Sequence, residues 1–569
     1  MSALSSTPAT GTLRIADPIG MEVFSNRLLT ITEEMGNTLI RSSFSTNIKE
    51  RRDCSVGLFD RHGRLVAQAS HIPLHLGSLR GSVQAVLQRF PAETIKPGSA
   101  FICNDPYLAG GTHMPDISIV TPMFTDGELR FFTANIAHHS DVGGSVPGSI
   151  SAMARTVFEE GIRIPPMLIV EDGRLREDLL DLIAQNTREP EERILDLKVQ
   201  VATNDRGVAA LHGLVRQMGL AAVEQAVEDI LAYTALRLKM RIDELGDKRG
   251  SFVCHLDDDG SGGPPVPIAT TVWVENGNLV IDFAGTGPQA KGALNVPASA
   301  LEATVFYAAK ALLDPQLMPN EGMMKAIEIR AEPGLIVNAR FPAAVGARSI
   351  TCQKVARSIF GAFREILPED RVLSSGGDDL ATIVFSARHA RRAGTYVYLE
   401  TLGGGGPASR RLDGMNAVHV HVTNTSNLPV EALENEYPLM VDEYALVERS
   451  GGAGERRGGL GLARQVTALQ DGTIFSARSD GHKHPATGVA GGKEGATARL
   501  YRNYGLADQE PLSSKVTLLT LNKGDNIRIE TPGAGGFGDP KRRPAEAVQA
   551  DLEDGFIAPE DLALYGRSA

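Results

Sequence analysis

The sequence predicts an α+β protein of several domains, with mixed sheets, helical segments and a β-rich, glycine-rich C-terminal part. Three observations predict it. Apolar residues recur at helical spacing in a few long stretches, all before residue 370. Short β-like runs bounded by Gly, Asn and Pro lie between them without strictly alternating with helices, which argues against a doubly wound sheet. A chain of 569 residues also exceeds what one core organises, so about two to four domains are expected.

Taken in order, Val23, Phe24, Leu28, Ile31, Met35 and Leu39 predict a helix over 21–43, with Asp17-Pro18 as its start signal. Strands follow at 54–60 and 64–69 around an Arg61-His62-Gly63 turn, then at 100–103, 117–123 and 129–137. Residues 189–245 return to a helical pattern broken at Gly219. The Glu275-Asn276-Gly277-Asn278 turn joins strands at 270–273 and 279–283, because Asn-Gly tolerates positive φ. Helices are expected at 298–313 and 351–366. The segment after 430 is strand-like, up to a short helix after Pro544. The expected division is an N-terminal metal-site domain (1–247), a middle α+β domain (248–430) and a β-rich C-terminal domain (431–569).

Composition narrows the function. Net charge is −12, from 57 basic and 69 acidic side chains, which argues against nucleic acid, since a phosphate-neutralising surface needs a basic excess. Arg456-Arg457, flanked by glycine, reads as a solvated turn. The four cysteines (Cys54, Cys103, Cys254, Cys352) form no C-x-x-C pair and fit reduced thiols of a cytoplasmic protein. Residues 1–12 lack the basic and apolar regions of a secretory signal, and no run approaches the roughly 20 apolar residues of a membrane helix. The 60 glycines have no collagen-like period and point to tight turns and close backbone approaches.

Six of the 13 histidines (His62, His71, His75, His113, His138, His139) lie between residues 62 and 139. Two glycine-flanked segments there pair imidazole with carboxylate: Gly110-Gly111-Thr112-His113-Met114-Pro115-Asp116 and His138-His139-Ser140-Asp141-Val142-Gly143-Gly144. Glycine lets the backbone bend until a His and a nearby Asp converge on one ion, and a shell without thiolate suits Mn²⁺, Fe²⁺ or Zn²⁺. About one H-x-x-D is expected by chance, so the doubled pattern is what raises it to a candidate site. The competing reading is a hydrogen-bonded strand end, which one of the adjacent His138 and His139 must adopt, as neighbours on a strand face opposite ways. Glu50 and Asp53, in the charge run after the first helix, are candidate catalytic acids, because carboxylates oppose the dipole at a helix C-terminus.

Nucleotide motifs fail. Residues 488–493 precede Glu494 where a P-loop needs Ser or Thr. Gly533-Ala534-Gly535-Gly536-Phe537-Gly538 satisfies G-x-G-x-x-G, yet too little chain follows for a dinucleotide-binding half, so it reads as a structural turn. Gly403 to Gly406 could cradle an anion but reads more simply as a flexible loop.

These residues carry a family resemblance. Asn104-Asp105-Pro106-Tyr107 through Asp116, the His138 to Gly144 segment and Phe158-Glu159-Glu160-Gly161-Ile162-Arg163-Ile164-Pro165-Pro166 resemble the hydantoinase B/oxoprolinase family. So do Asp282-Phe283-Ala284-Gly285-Thr286 with Asn295, Pro342 to Arg348, Thr423-Asn424-Thr425 to Glu431, Ser450 to Gly454 with Gly458-Gly459, and Thr531 to Pro540. The likeness runs from about Asp17 to Pro540. It implies a B-type subunit of an ATP-dependent enzyme that opens a hydantoin, lactam or oxoproline ring. The partner it implies is a hydantoinase-A-type subunit that binds ATP and Mg²⁺, in a heterotetramer or larger assembly. The ketone carboxylases of the family are the alternative activity, and a non-catalytic assembly role is a second. The carboxylase pattern implies a divalent metal (Mn, Zn or Fe) on His113, Asp116 and His138 with Glu50 or Asp53. His139 and Asp141 remain open as ligands or supporting groups.

Overall fold

Phe24, Leu28, Ile31, Met35 and Leu39 fall on one buried face of the first helix, α1 (Pro18–Ser42). The computed structural model describes residues 18–568 except 70, 152, 378, 380 and 390–393. Asp17 and the N-terminal residues 1–12 lie outside the described residues. After α1 come the single turn α2 (Thr46–Lys49), strands β1 (Cys54–Asp60) and β2 (Leu65–Gln68), and helix α3 (His75–Arg89). Strands β3 (Ala100–Cys103), β4 (Asp116–Thr125), β5 (Glu128–His138), β6 (Met167–Glu171) and β7 (Arg174–Leu175) complete a seven-stranded antiparallel sheet, ordered β2-β1-β5-β4-β3-β6-β7.

Both faces of this sheet are covered, which is why its strands read as continuous apolar runs. Helix α4 (Glu177–Gln185) and the long pair α5 (Pro190–Met218) and α6 (Leu220–Asp243) follow the sheet, with Gly219 at φ 85° between them. Val56 and Leu58 of β1 pack with α1, α5 and α6, whereas the alternate Phe59 packs with Leu79, Val83 and Val86 of α3. Helix α3 escaped the sequence reading because its small residues blunt the helical pattern. Gly77 sits where a Cβ would lie 2.4 Å from the Ser299 carbonyl oxygen, and Gly81 where it would lie 2.7 Å from Gly110.

A second sheet, β11-β10-β9-β8, is built from β8 (Arg249–Leu256), β9 (Val266–Glu275), β10 (Asn278–Asp282) and β11 (Ile327–Arg330). Asn276 and Gly277 take φ of 51° and 76° in the β9–β10 turn, as the Asn-Gly pair predicted. Helices α7 (Ala298–Leu313) and α8 (Arg348–Phe363) pack against each other, and α8 lies on β8 and β9. Two further sheets use β12 (Ala381–Arg388), β13 (Thr395–Leu402), β14 (Leu439–Leu446), β15 (Leu462–Ala468), β16 (Thr473–Arg478), β17 (Arg499–Arg502), β18 (Glu510–Pro511), β19 (Lys515–Leu521) and β20 (Asn526–Glu530). Their orders are β13-β12-β16-β19 and β14-β15-β20-β17-β18, and they share one core. The boundary expected at 430 thus falls between strands of a single sheet, because β12 pairs with β16 across it. Short helices α9 (Val430–Glu436) and α10 (Ala545–Glu553) flank this part. No described helix is long and apolar enough to cross a membrane.

The glycines of the C-terminal part lock backbone onto backbone. A Cβ on Gly459 would lie 1.9 Å from the Met415 carbonyl oxygen, and one on Gly533 would lie 1.8 Å from that of Ser450. The flexible loop expected at Gly403 to Gly406 is instead buried. Gly404, Gly405 and Gly406 donate their N–H groups to Val418, Pro532 and Met415, so none is free to cradle an anion. Arg457, expected in a solvated turn, is likewise buried, its guanidinium bonded to the Gly458 carbonyl and Asn416.

Candidate metal centre

Strand pairing creates the site. Asp116 opens β4, His138 closes β5, and the antiparallel register sets the two opposite each other. Their two segments are therefore the two ends of one hairpin. A turn closed by Asp116 N–H donating to the His113 carbonyl (3.3 Å) brings His113 back over the same spot. The turn needs Gly111, where a Cβ would lie 2.1 Å from the Asn104 carbonyl oxygen. One ligand atom from each of His113, Asp116 and His138 falls within 4.8 Å of the others, and all three residues are buried.

The surrounding hydrogen bonds leave unshared electron pairs aimed inward. His113 Nδ1–H donates to the Gly346 carbonyl (3.0 Å), which fixes the neutral tautomer with a bare Nε2. That Nε2 stands 3.2 Å from Asp116 Oδ1, and neither atom has a hydrogen-bond partner. The other carboxylate oxygen, Oδ2, accepts from Thr112 Oγ1 (2.7 Å) and Arg348 (2.7 Å). Burial alone would push the Asp116 carboxyl up, but the Arg348 guanidinium on Oδ2 opposes it, and the carboxyl is held well below the usual carboxylate range. Burial, reinforced by the Arg348 charge, lowers His113; burial and the nearby His113 lower His138 further. Two acceptors facing each other at this distance repel unless a cation satisfies both, and an orphaned buried acceptor costs about 1–3 kcal/mol. Two imidazoles and a carboxylate without thiolate fit Mn²⁺, Fe²⁺ or Zn²⁺.

The cluster borders a cavity of about 40 Å³ that Asp53 and His75 also line. His75 opens α3. Ser55 Oγ accepts from Ile72 N–H (3.2 Å) and lies 3.0 Å from His75 Nδ1. His75 Nε2 faces Asp116 Oδ1 at 3.7 Å and Asp53 Oδ1 at 3.9 Å. Arg51 and Asn47 brace the opposite wall: Arg51 donates to Asn47 Oδ1 (2.8 Å), and Asn47 Nδ2 lies 3.3 Å from His138 Nδ1. Buried Glu160 accepts from Val345 N–H (3.0 Å) and Gly346 N–H (2.6 Å) and so shapes the loop that holds His113. Burial raises its carboxyl to about 7 despite these bonds.

Three candidates fall elsewhere. His139 faces away, as the alternation along a strand requires: its Nε2–H donates to Gln200 Oε1 (3.0 Å), and burial lowers the ring to about 4. Asp141 spends both oxygens on a loop, accepting from Gly143 N–H, Gly148 N–H and the Arg188 backbone and guanidinium. Glu50 lines a separate pocket with Glu189, Glu192 and Tyr437, so of the two upstream acids only Asp53 reaches the cluster. The sequence reading missed Thr112, Arg348, Gly346 and Asn47 as partners, and gave His75 no role. His75 did stand in the histidine-rich stretch and Arg348 in a quoted motif, but neither carries a ligand spacing of its own.

The same fold occurs in known proteins. A solved structure of an ATP-dependent caprolactamase from Pseudomonas jessenii superposes with a TM-score of 0.88 at 26% identity, over 98% of this chain and 97% of that one. The chain is 33% identical to a 5-oxoprolinase of Pestalotiopsis fici over 92% of its own length, but spans only 42% of that longer protein. A protein named as the B-type subunit of a D-/L-hydantoinase, from Pseudomonas sp. (strain NS671), is 30% identical over 97% of this chain and 95% of its own. The family model described as hydantoinase B/oxoprolinase matches residues 17–540, which takes in every strand of the hairpin and every side chain of the cluster: the chain belongs to the hydantoinase B/oxoprolinase family.

Proposed function

We propose that this chain is the B-type subunit of an ATP-dependent cyclic amidohydrolase that opens a hydantoin, lactam or oxoproline ring. The ATP is held by a separate A-type subunit. The observation that carries the reading is the facing pair of bare acceptors, His113 Nε2 and Asp116 Oδ1, beside His138 in a cavity with one further carboxylate, Asp53. The nearly full-length match to a protein named as a hydantoinase B-type subunit, and the lack of a nucleotide motif here, support an ATP site on a second polypeptide.

An unstrained amide is a poor electrophile, so its carbonyl oxygen is first phosphorylated at the expense of ATP. His113, Asp116 and His138 would hold a divalent ion, which supplies charge to polarise an oxygen and to bring the pKa of water towards roughly 7. Asp53 takes the proton from the attacking water as its oxygen bonds to the amide carbon, a role worth about 10²–10⁴-fold. The C–N bond then breaks, the nitrogen leaving with the proton of the new hydroxyl, which gives an acyl phosphate; a second water hydrolyses it to the ring-opened carboxylate and inorganic phosphate. Arg348 and Thr112 keep Asp116 ionised, while His75 stands between the two carboxylates and holds them apart from each other.

The test is ATP-coupled turnover of the complex purified with its partner, offered hydantoin, caprolactam and 5-oxoproline, and separately acetone with bicarbonate. Ring opening with at least one cyclic amide is expected. ATP consumption only with ketone and bicarbonate would replace this reading with a carboxylase.

A further inference from the structure

The metal cavity is too small for the substrate of the reaction proposed for it. Its volume of about 40 Å³ holds only a few waters, at about 10–15 Å³ each, whereas even the smallest five-membered lactam has six non-hydrogen atoms. Ligand sites typically measure about 300–1,000 Å³. A second cavity of about 600 Å³ meets that size, walled by α1, α6, α7 and the 315–319 segment.

Only one residue's thickness separates the two. His71 and Pro73 line the large cavity, while Ile72, Leu74 and His75 line the small one. On the neighbouring segment Asn424 faces the large cavity, and Thr423 and Thr425 the small one. The two segments are joined by Leu74 N–H donating to the Val422 carbonyl (3.1 Å) and Asn424 Nδ2 donating to the His71 carbonyl (3.4 Å). A ring in the larger cavity would reach Asp53 and the metal ligands if this thin partition were displaced.

The lining suits a small amphipathic molecule. Leu29, Phe306 and Met318 offer apolar surface, and Gln68 and Asn424 offer amides. Two cations also line it. Arg237 is spent on Asp314, with contacts of 2.6 and 2.8 Å. Lys310 is not: its ammonium donates to the Pro315 carbonyl, and among the described residues no carboxylate lies within 4.0 Å of it. Burial lowers its pKa and outweighs the opposing pull of the more distant Asp314, as expected for a cation short of a close counter-charge.

We infer that the large cavity is the substrate chamber serving the metal centre, and that Lys310 selects a cyclic amide bearing a carboxylate. The inference rests on the amidohydrolase reading. Its test is steady-state kinetics of the complex with its partner, using two probes of one ring size: 5-oxoproline, which has a carboxylate, and 2-pyrrolidinone, which lacks it. The parent is expected to favour 5-oxoproline. Lys310→Met raises KM for 5-oxoproline by about tenfold or more, the worth of a hydrogen-bonded ion pair, with kcat and the pyrrolidinone KM little changed. Lys310→Arg restores part of the preference, and Ala311→Trp, which fills the chamber, raises KM for both probes without changing metal content. A parent without preference for the carboxylate, or Lys310→Met leaving the KM ratio unchanged, overturns the role of Lys310. Ala311→Trp with unaltered kinetics overturns the chamber. In both cases ring opening by the parent leaves the amidohydrolase reading standing, whereas turnover restricted to ketone and bicarbonate removes that reading and this inference together.

Discussion

Asp116 is where the electrostatics of the site are decided. Its buried carboxylate stays ionised because Arg348 and Thr112 bind Oδ2 and leave Oδ1 free for the cluster. Arg348→Met strands that charge, and breaking a buried pair costs about 3–5 kcal/mol, so a drop of that size in denaturant-derived stability is expected. An unchanged midpoint would show that Asp116 is not held by Arg348. Glu160 gives a pH dependence of defined sign. Its folded-state pKa, about 7, is raised from an ordinary 4.5, so the fold binds its proton more tightly than the unfolded chain does. Its contribution is fully present below 4.5 and is lost as pH rises through 7, by up to about 3 kcal/mol for a shift of this size. Glu160→Gln, which cannot ionise, is therefore expected to gain stability relative to the parent between pH 5 and 8. A difference constant across that range would contradict the assignment.

At the scale of elements, the β4–β5 hairpin is legible in the sequence alone, because short apolar runs bounded by turn residues locate both strands. What the spacing of His113, Asp116 and His138 could not say was register, and register is what sets Asp116 opposite His138. His139 and Asp141 share the same loop chemistry in sequence; only the strand's alternation and the Arg188 contact remove them. Arg348 and Gly346 lie more than 200 residues away from the hairpin, and no local pattern reports a contact at that separation. The α1, α5, α6 and α7 helices were legible from periodicity, but α3 was not, since its glycines answer to neighbours in space. The C-terminal glycines show the same limit. Their abundance points to close backbone approaches, but the partners they meet lie far off in sequence. Gly459→Ala places a methyl 1.9 Å from the Met415 carbonyl oxygen, so a loss of about 1–3 kcal/mol or more is expected by thermal or chemical denaturation. A neutral substitution there would mean that the interlock yields easily.

For the whole molecule, the metal-type centre sits on the first sheet and is completed from outside by the segment entering α8 and by β12 and β13. Gly346 and Arg348 come from the start of α8, and Leu399 and Thr401 from β13. A centre assembled from segments this far apart forms only when the whole chain has folded, so ligand binding and global folding are linked. The measurement that tests the account most directly is metal content by elemental analysis of the complex purified with its partner, for the parent and for His113→Ala. The account predicts about one transition-metal ion per chain in the parent, and loss of both the ion and ATP-coupled ring opening in the variant. A parent free of transition metal, or a variant that keeps metal and turnover, would contradict it.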